Sequence, residues 1–160
     1  MAEPFKLTRI PSLKTVGDFK AHLAALGLDL PVDEAILPGA QSPLAAPLAG
    51  VAVNGKTIGN RVAIQPMEGW DGTTEGGVTP EMTRRWARFG ESGAKLIFGG
   101  EAMAVRADGR ANPNQLILTE ANKAGIASLR ETLVARHQEC HGRTEDVVVG
   151  FQLTHSGRVC

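Results

Sequence analysis

Three short stretches carry side chains that could build a site. Gln65-Pro66-Met67-Glu68-Gly69-Trp70 combines an amide, a strand-stopping proline, a thioether, a carboxylate and an indole. Glu101-Ala102 puts a carboxylate beside a small residue, just after Gly99-Gly100. Gln152-Leu153-Thr154-His155-Ser156-Gly157-Arg158 offers an amide, a hydroxyl, an imidazole and a guanidinium. Each stretch follows an apolar run, so each sits where a strand ends. A glutamine on such a run is polar for a reason. For Gln152 a capped strand end and a ligand contact are both open. Pro66 and Met67 could end a strand and fill core, or line a ligand.

Other chemistry-bearing groups invite weaker readings. His137 and His141 share a helix face at i, i+4, as in some zinc sites, with Cys140 beside them. No second cluster supplies further ligands and no CxxCH haem motif is present. The alternative is a solvated helix end with histidines near the negative end of its dipole, and no metal is assigned. Glu68, Asp71 and Glu75 could act together in acid–base work, although loop solvation accounts for Asp71 and Glu75. Arg84, Arg85 and Arg88 read as a solvated helix face rather than an anion site. No GxGxxG follows a strand, and neither GxxxxGK[ST] nor GxSxG occurs, so the dinucleotide fingerprint, the Walker loop and the nucleophile elbow are excluded.

The elements that must position these residues are legible from pattern. Thr15 or Asp18 caps a helix through Phe19, Leu23 and Leu26 that stops at Gly27. Pro31, Pro38, Pro43 and Pro47 then mark a connector among small residues. We therefore expect an N-terminal extension over residues 1–50, with one helix and this proline-rich connector. Val51 to Ile58 is a hairpin around Asn54-Gly55, a pair suited to a type I′ turn. Residues 61–65 form the first parallel strand, ended by Pro66, which has no N–H for a ladder. Thr79-Pro80 opens a helix through Trp86 and Phe89 to Gly93. Residues 95–99 form a second strand, 119–140 a second long helix, and 147–153 a third strand. That last run is apolar throughout, as in a strand covered on both faces. Strands alternating with helices specify an α/β fold with a parallel sheet. Three strands and two helices do not close a (β/α)8 barrel, which typically takes about 250 residues, so the pattern reads as an incomplete, truncated fragment cut in the middle of a fold.

Bulk properties bound the function. The chain has 160 residues with zero formal net charge, and a sequence pI of about 6.9. That balance gives no electrostatic footprint for nucleic acid and no polybasic membrane patch. Nineteen glycines suit tight turns and close backbone approach to a ligand. Cys140 and Cys160 are the only cysteines, too few for a disulfide framework. The N-terminus lacks the basic and apolar regions of a signal peptide. No apolar run nears the roughly 18 residues of a membrane span. A reduced, cytoplasmic protein is expected.

A resemblance sharpens this reading. Asn60-Arg61 is followed after four residues by Pro66-Met67, then by a glycine-rich loop entering a helix. Ser92-Gly-Ala-Lys-Leu-Ile-Phe, Glu101-Ala102, Asp108-Gly-Arg110 and Gln152-Leu-x-His-x-Gly-Arg158 follow in order. From about Leu48 to Cys160 the chain resembles the N-terminal part of the old yellow enzyme family, the FMN-dependent NADH:flavin oxidoreductases and ene-reductases. The resemblance implies the N-terminal portion of a (β/α)8 TIM barrel, its hairpin closing the bottom. Residues 51–160 would hold that hairpin and the first three barrel strands. FMN would sit at the C-terminal mouth, with NADH or NADPH as reductant and an activated alkene as the small-molecule substrate.

The resemblance also implies roles. Backbone around Gln65, Pro66 and Met67 would line the flavin. Ala102 matches a small residue against the isoalloxazine, and Gln152 an amide contacting the ring, where it can both donate and accept. Trp70 stands where relatives carry a substrate-touching aromatic. Glu68 departs from the Cys or Thr common near the flavin N5 and O4. An ionised carboxylate there would disfavour an anionic reduced flavin, and a protonated one would donate a hydrogen bond to it. The chain has no tyrosine, so the proton donor is expected beyond the chain end. His155 and Arg158 read as ties from the strand end to its neighbours. A homo-oligomer is the assembly open to it. The alternative is a non-catalytic partial-barrel interaction module, or an inactive fragment.

Overall fold

The computed structural model describes residues 7–159, with residues 99, 100 and 159 described by backbone alone. Cys160 and residues 1–6 lie outside the described residues. Two compact units divide the chain, Met1–Pro43 and Leu44–Cys160.

In the first unit, α1 (Val16–Ala25) starts with the expected cap. The Thr15 hydroxyl accepts from the Asp18 N–H at 3.0 Å, and the Asp18 carboxylate accepts from the Thr15 N–H at 3.0 Å. This reciprocal box satisfies two donors that the first helical turn leaves unpaired. Gly27, at φ +68°, turns the chain away afterwards. Leu23 is the buried anchor of α1, and Lys20 pairs with Glu34.

The second unit opens with a single helical turn, α2 (Ala45–Leu48). The hairpin follows as β1 (Val51–Val53) and β2 (Lys56–Ile58), with Val53 opposite Lys56. Asn54 at φ +49° and Gly55 at φ +77° form the two-residue turn that this pair of residue types favours. Three parallel strands then form one sheet in the order β3-β4-β5. They are β3 (Ala63–Ile64), β4 (Leu96–Ala104) and β5 (Val148–Thr154), joined through α3 (Pro80–Glu91) and α4 (Lys123–His141). Thr79 caps α3 through the Met82 N–H, and Gly142 at φ +74° ends α4.

The core lies on one side of this sheet. Met82 and Trp86 of α3 meet Ile126, Leu129 and Leu133 of α4 over Ile97 and Met103 of β4. Phe151 of β5 stacks on Trp86 with centroids 5.2 Å apart. The helices approach closely because Gly90 has no side chain: a Cβ there would lie 2.4 Å from the Leu133 carbonyl oxygen.

Three sequence expectations change. The first strand pairs over two residues, not five. Its approach is used otherwise: the Arg61 N–H donates to the Pro47 carbonyl and the Val62 N–H to the Asn60 side chain. The second strand runs on past Gly99 to Ala104. Phe98 faces Gly150 and Ala102 faces Gln152, so β4 spends four residues where β5 spends two. This irregularity absorbs the two glycines and lets pairing resume. The third strand is not covered on both faces; its residues are half-buried or exposed. It is one of the sheet's two outer strands, and among the described residues nothing pairs with its far side. Among the described residues, no helix is long and apolar enough to cross a membrane.

Candidate functional site

Sheet topology carries Pro66-Met67, Ala102 and Gln152 to one end of β3, β4 and β5. After Ile64 the chain leaves the ladder, as Pro66 requires, but Met67 stays docked on β4. The Ala102 N–H donates to the Met67 carbonyl at 3.1 Å. Across from Ala102, in register, stands Gln152. Gln65, Met67, Glu68, Trp70 and Gln152 are exposed and Pro66 is half-buried. Met67 and Trp70 are 74% and 70% exposed, apolar surface that a planar ligand could cover. Phe151 points into the helix-packed core, so by strand alternation Gln152 projects to the open face. Phe98, on β4, is 50% exposed.

Ala102 itself is buried. Its N–H is taken by Met67, and its carbonyl accepts from the Gln115 amide at 2.8 Å. It therefore contributes smallness rather than a hydrogen bond. Gln115 is a residue that sequence reasoning missed. It is wholly buried, its amide also reaches the Thr154 hydroxyl at 3.2 Å, and its carbonyl oxygen accepts from the Ala111 N–H at 2.7 Å. One side chain thus ties the 105–115 loop to β4 and β5.

The loop from Met67 to Asp71 rests on a charge cluster that sequence reasoning also missed. Glu101 is completely buried. One of its oxygens accepts from the Gly69 N–H at 2.9 Å, and the other from Arg85 at 2.7 Å. Arg85 reaches on to Asp71 with two bonds, at 2.8 and 3.2 Å. Asp71 is therefore a half-buried ion-pair partner rather than a solvated loop residue, and Arg85 is not part of a solvated face. Arg84 and Arg88 are exposed as expected. Burial pushes the Glu101 carboxyl above the usual range, against the pull of Arg85 and the Gly69 N–H. Burial also disfavours the Arg85 cation, but its bonds to Asp71 and the field of Glu101 outweigh that and raise its pKa. The one visible sign of this cluster in the sequence was a glutamate directly after the paired glycines of β4.

His137 is neither a solvated helix end nor a ligand beside His141. It is fully buried, with Nδ1 3.0 Å from the Gly90 carbonyl and Nε2 2.8 Å from Lys95 Nζ. A carbonyl can only accept and an ammonium can only donate, so Nδ1 carries the proton and Nε2 accepts. Lys95 also donates to Asp146 at 2.8 Å, and Arg143 pairs with Asp146. Desolvation, and then the Lys95 cation, lower the His137 pKa. Among the described residues, no three His, Cys, Asp or Glu side chains gather as a metal site would need. This network locks the opposite end of the sheet. His155 lies at the site end, its ring where a Cβ on Gly109 would be, and the Ser156 N–H donates to the Gly109 carbonyl at 2.9 Å. Asn60 bonds the Gly93 carbonyl at 2.9 Å and the Lys95 N–H at 3.2 Å, a structural role.

No family model matches this sequence, and no curated protein matches it. Among solved structures the chain is similar to Old Yellow Enzyme from Pichia sp. AKU4542, at 18% identity and a TM-score of 0.56. The likeness covers 74% of this chain and 29% of that one. At that identity it speaks to fold: the α/β unit with its parallel sheet is built like part of a TIM-barrel enzyme, Old Yellow Enzyme, without closing a barrel among the described residues.

Proposed function

We propose that this chain forms one wall of an FMN site in an NAD(P)H-dependent oxidoreductase acting on activated alkenes or related acceptors. The observation that carries the reading is the convergence of Met67, Ala102 and Gln152. A backbone bond and a strand register hold all three at one end of a parallel sheet. That is the end at which α/β folds bind ligands. The donor set suits a flavin: an exposed amide able to donate and accept, a small residue in the floor, and exposed Met67 and Trp70 to cover a flat ring. The fold-level likeness to Old Yellow Enzyme supports the reading by analogy.

When bound, FMN supplies the hydride-transfer chemistry, accepting from NADH or NADPH and delivering to an electron-poor acceptor. The residues of this chain orient and shield. Gln152 sets the ring's rotation through its amide. Gln65, Pro66 and Met67 border the ring through the backbone, and Trp70 excludes water and contacts substrate. Glu68 holds a carboxylate at the rim.

Quenching of FMN fluorescence by the chain tests this. The wild-type chain quenches saturably, and Gln152→Ala weakens the affinity about tenfold, as losing a paired amide should. Equal affinity in the variant contradicts the assignment. The outer edge of β5, unpaired among the described residues, with Leu153 57% exposed, favours a second reading, a non-catalytic assembly module, because unpaired edges recruit partners. Concentration-dependent association without flavin uptake supports that reading instead.

A further inference from the structure

We infer that Glu101 and Arg85 are positioning residues, a brace that is buried at Glu101 and half-buried at Arg85, holds the Met67–Asp71 loop against β4 and so sets the geometry of the site's rim. What the rim is for rests on the flavin reading; that the brace holds it does not.

Three independent features point to this. First, the brace grips the loop at two places. Glu101 accepts from the Gly69 backbone, and Arg85 holds Asp71 with a two-pronged contact, so the residues between cannot lift without breaking charge-assisted bonds. Second, the loop is pressed onto the cluster. A Cβ on Gly69 would lie 2.6 Å from the Asp71 carboxylate, 2.8 Å from Arg85 and 2.9 Å from Glu101. Only glycine lets the backbone come this close. From the other side the Asn112 amide donates to the Gly69 carbonyl at 3.1 Å, so Gly69 is clamped through both of its backbone groups. Third, β4 delivers Glu101 at some cost. The strand breaks register between Phe98 and Ala102, and Glu101 emerges inside that break as a wholly buried carboxylate. Buried carboxylates survive only when paired and hydrogen-bonded.

The consequence reaches the proposed contacts directly. Met67 and Ala102 share a backbone bond, and Glu101 is the chain neighbour of Ala102. Gly69 and Trp70 follow Met67. Among the described residues, the exposed side chains of Met67, Glu68 and Trp70 make no hydrogen bond or ion pair that would fix their direction. The ion cluster therefore does for this rim what a packed core does for an element.

Amide hydrogen exchange in the flavin-free 160-residue chain tests the brace, with FMN affinity as a second readout. Glu101→Gln and Arg85→Met are expected to speed exchange at Gly69 and Ala102 about tenfold, while α4 amides keep wild-type protection. Arg85→Lys, which keeps the cation but loses the fork, should fall between wild type and Arg85→Met. Wild-type protection at Gly69 and Ala102 in these variants overturns the inference. So does a uniform rise that includes α4, or an Arg85→Lys result equal to Arg85→Met, since either marks a merely structural role. If Glu101→Gln does not fold, the two Arg85 variants carry the comparison, because that side chain is partly exposed. FMN affinity should fall about tenfold with the loosened loop. A loosened loop with unchanged affinity overturns the role of the brace in the site. A wild-type chain that takes up no FMN refutes the flavin reading and leaves the exchange result to decide the brace.

Discussion

Gln115 shows how a residue that touches no ligand can decide the shape of a site. Its amide fixes the Ala102 carbonyl in a buried setting, and its oxygen fixes the Ala111 N–H in a partly buried one. Replacing it by alanine leaves two backbone groups without partners. An unsatisfied buried group costs about 1–3 kcal/mol, and the exposed Ala111 N–H, which water can reach, costs less, so Gln115→Ala should lose about 2–4 kcal/mol in urea unfolding. A loss under about 1 kcal/mol would mean that water or a neighbour takes over both bonds. The same scale explains what the sequence hid. The placement of Met67, Trp70 and Gln152 at strand ends was legible because an apolar run that stops at a proline or runs into polar residues marks where a strand ends. Glu101, Asp71, Arg85 and Gln115 were not, because a charge or amide in a sequence carries no mark of its burial. Apart from Ala111, four residues from Gln115, their partners lie 13 to 39 residues away, and only the fold brings them together. His137 misled for the same reason: its spacing of four from His141 does bring the two rings together, with centroids 4.5 Å apart, but its hydrogen bonds go to Gly90 and Lys95.

At the scale of elements, local chemistry carried most of the information. The Thr15 and Thr79 caps, the Asn54-Gly55 turn and the glycine stops depend on neighbouring residues, and all are present as read. Strand limits and coverage depend on what pairs with a strand, which composition does not encode. That is why β3 proved shorter than its apolar run, β4 longer, and β5 half-exposed. The α3–α4 contact makes a further prediction. In a helix interior Gly→Ala ordinarily stabilises by about 0.5–1 kcal/mol. At Gly90 the added methyl would meet the Leu133 carbonyl at 2.4 Å, a backbone atom that cannot rotate away. Gly90→Ala should therefore destabilise by about 1–3 kcal/mol, as overpacking does. An unchanged or higher Tm would mean that the helices separate at little cost.

Across the whole molecule, the two ends of the sheet hold different charge networks with opposite pH signatures. His137 is held neutral, its pKa lowered from an ordinary 6.5 by burial and by Lys95. The unfolded chain therefore binds the proton first. The stability from His137 is complete above about pH 6.5 and is lost as pH falls below it. Asp146 is lowered from 3.8, chiefly by Lys95 and Arg143 against the cost of burial, so its share is lost only below that value. Glu101, raised above 4.5 by burial, acts in the other direction: folding gains as it protonates. Thermal unfolding should thus show a Tm that is flat above pH 7 and falls from about pH 6.5 toward pH 5. In His137→Asn that fall should shrink. A wild-type profile that rises through this range, or an identical slope in the variant, would contradict the assignment of His137.

Flavin uptake at the strand ends of this chain is the property on which its function turns. The direct measurement is the visible absorbance of the 160-residue chain after gel filtration, with FMN supplied during refolding. We predict a flavin band that travels with the protein and diminishes in Gln152→Ala. A folded but colourless chain would contradict the claim that Met67, Ala102 and Gln152 form a flavin-binding wall on their own.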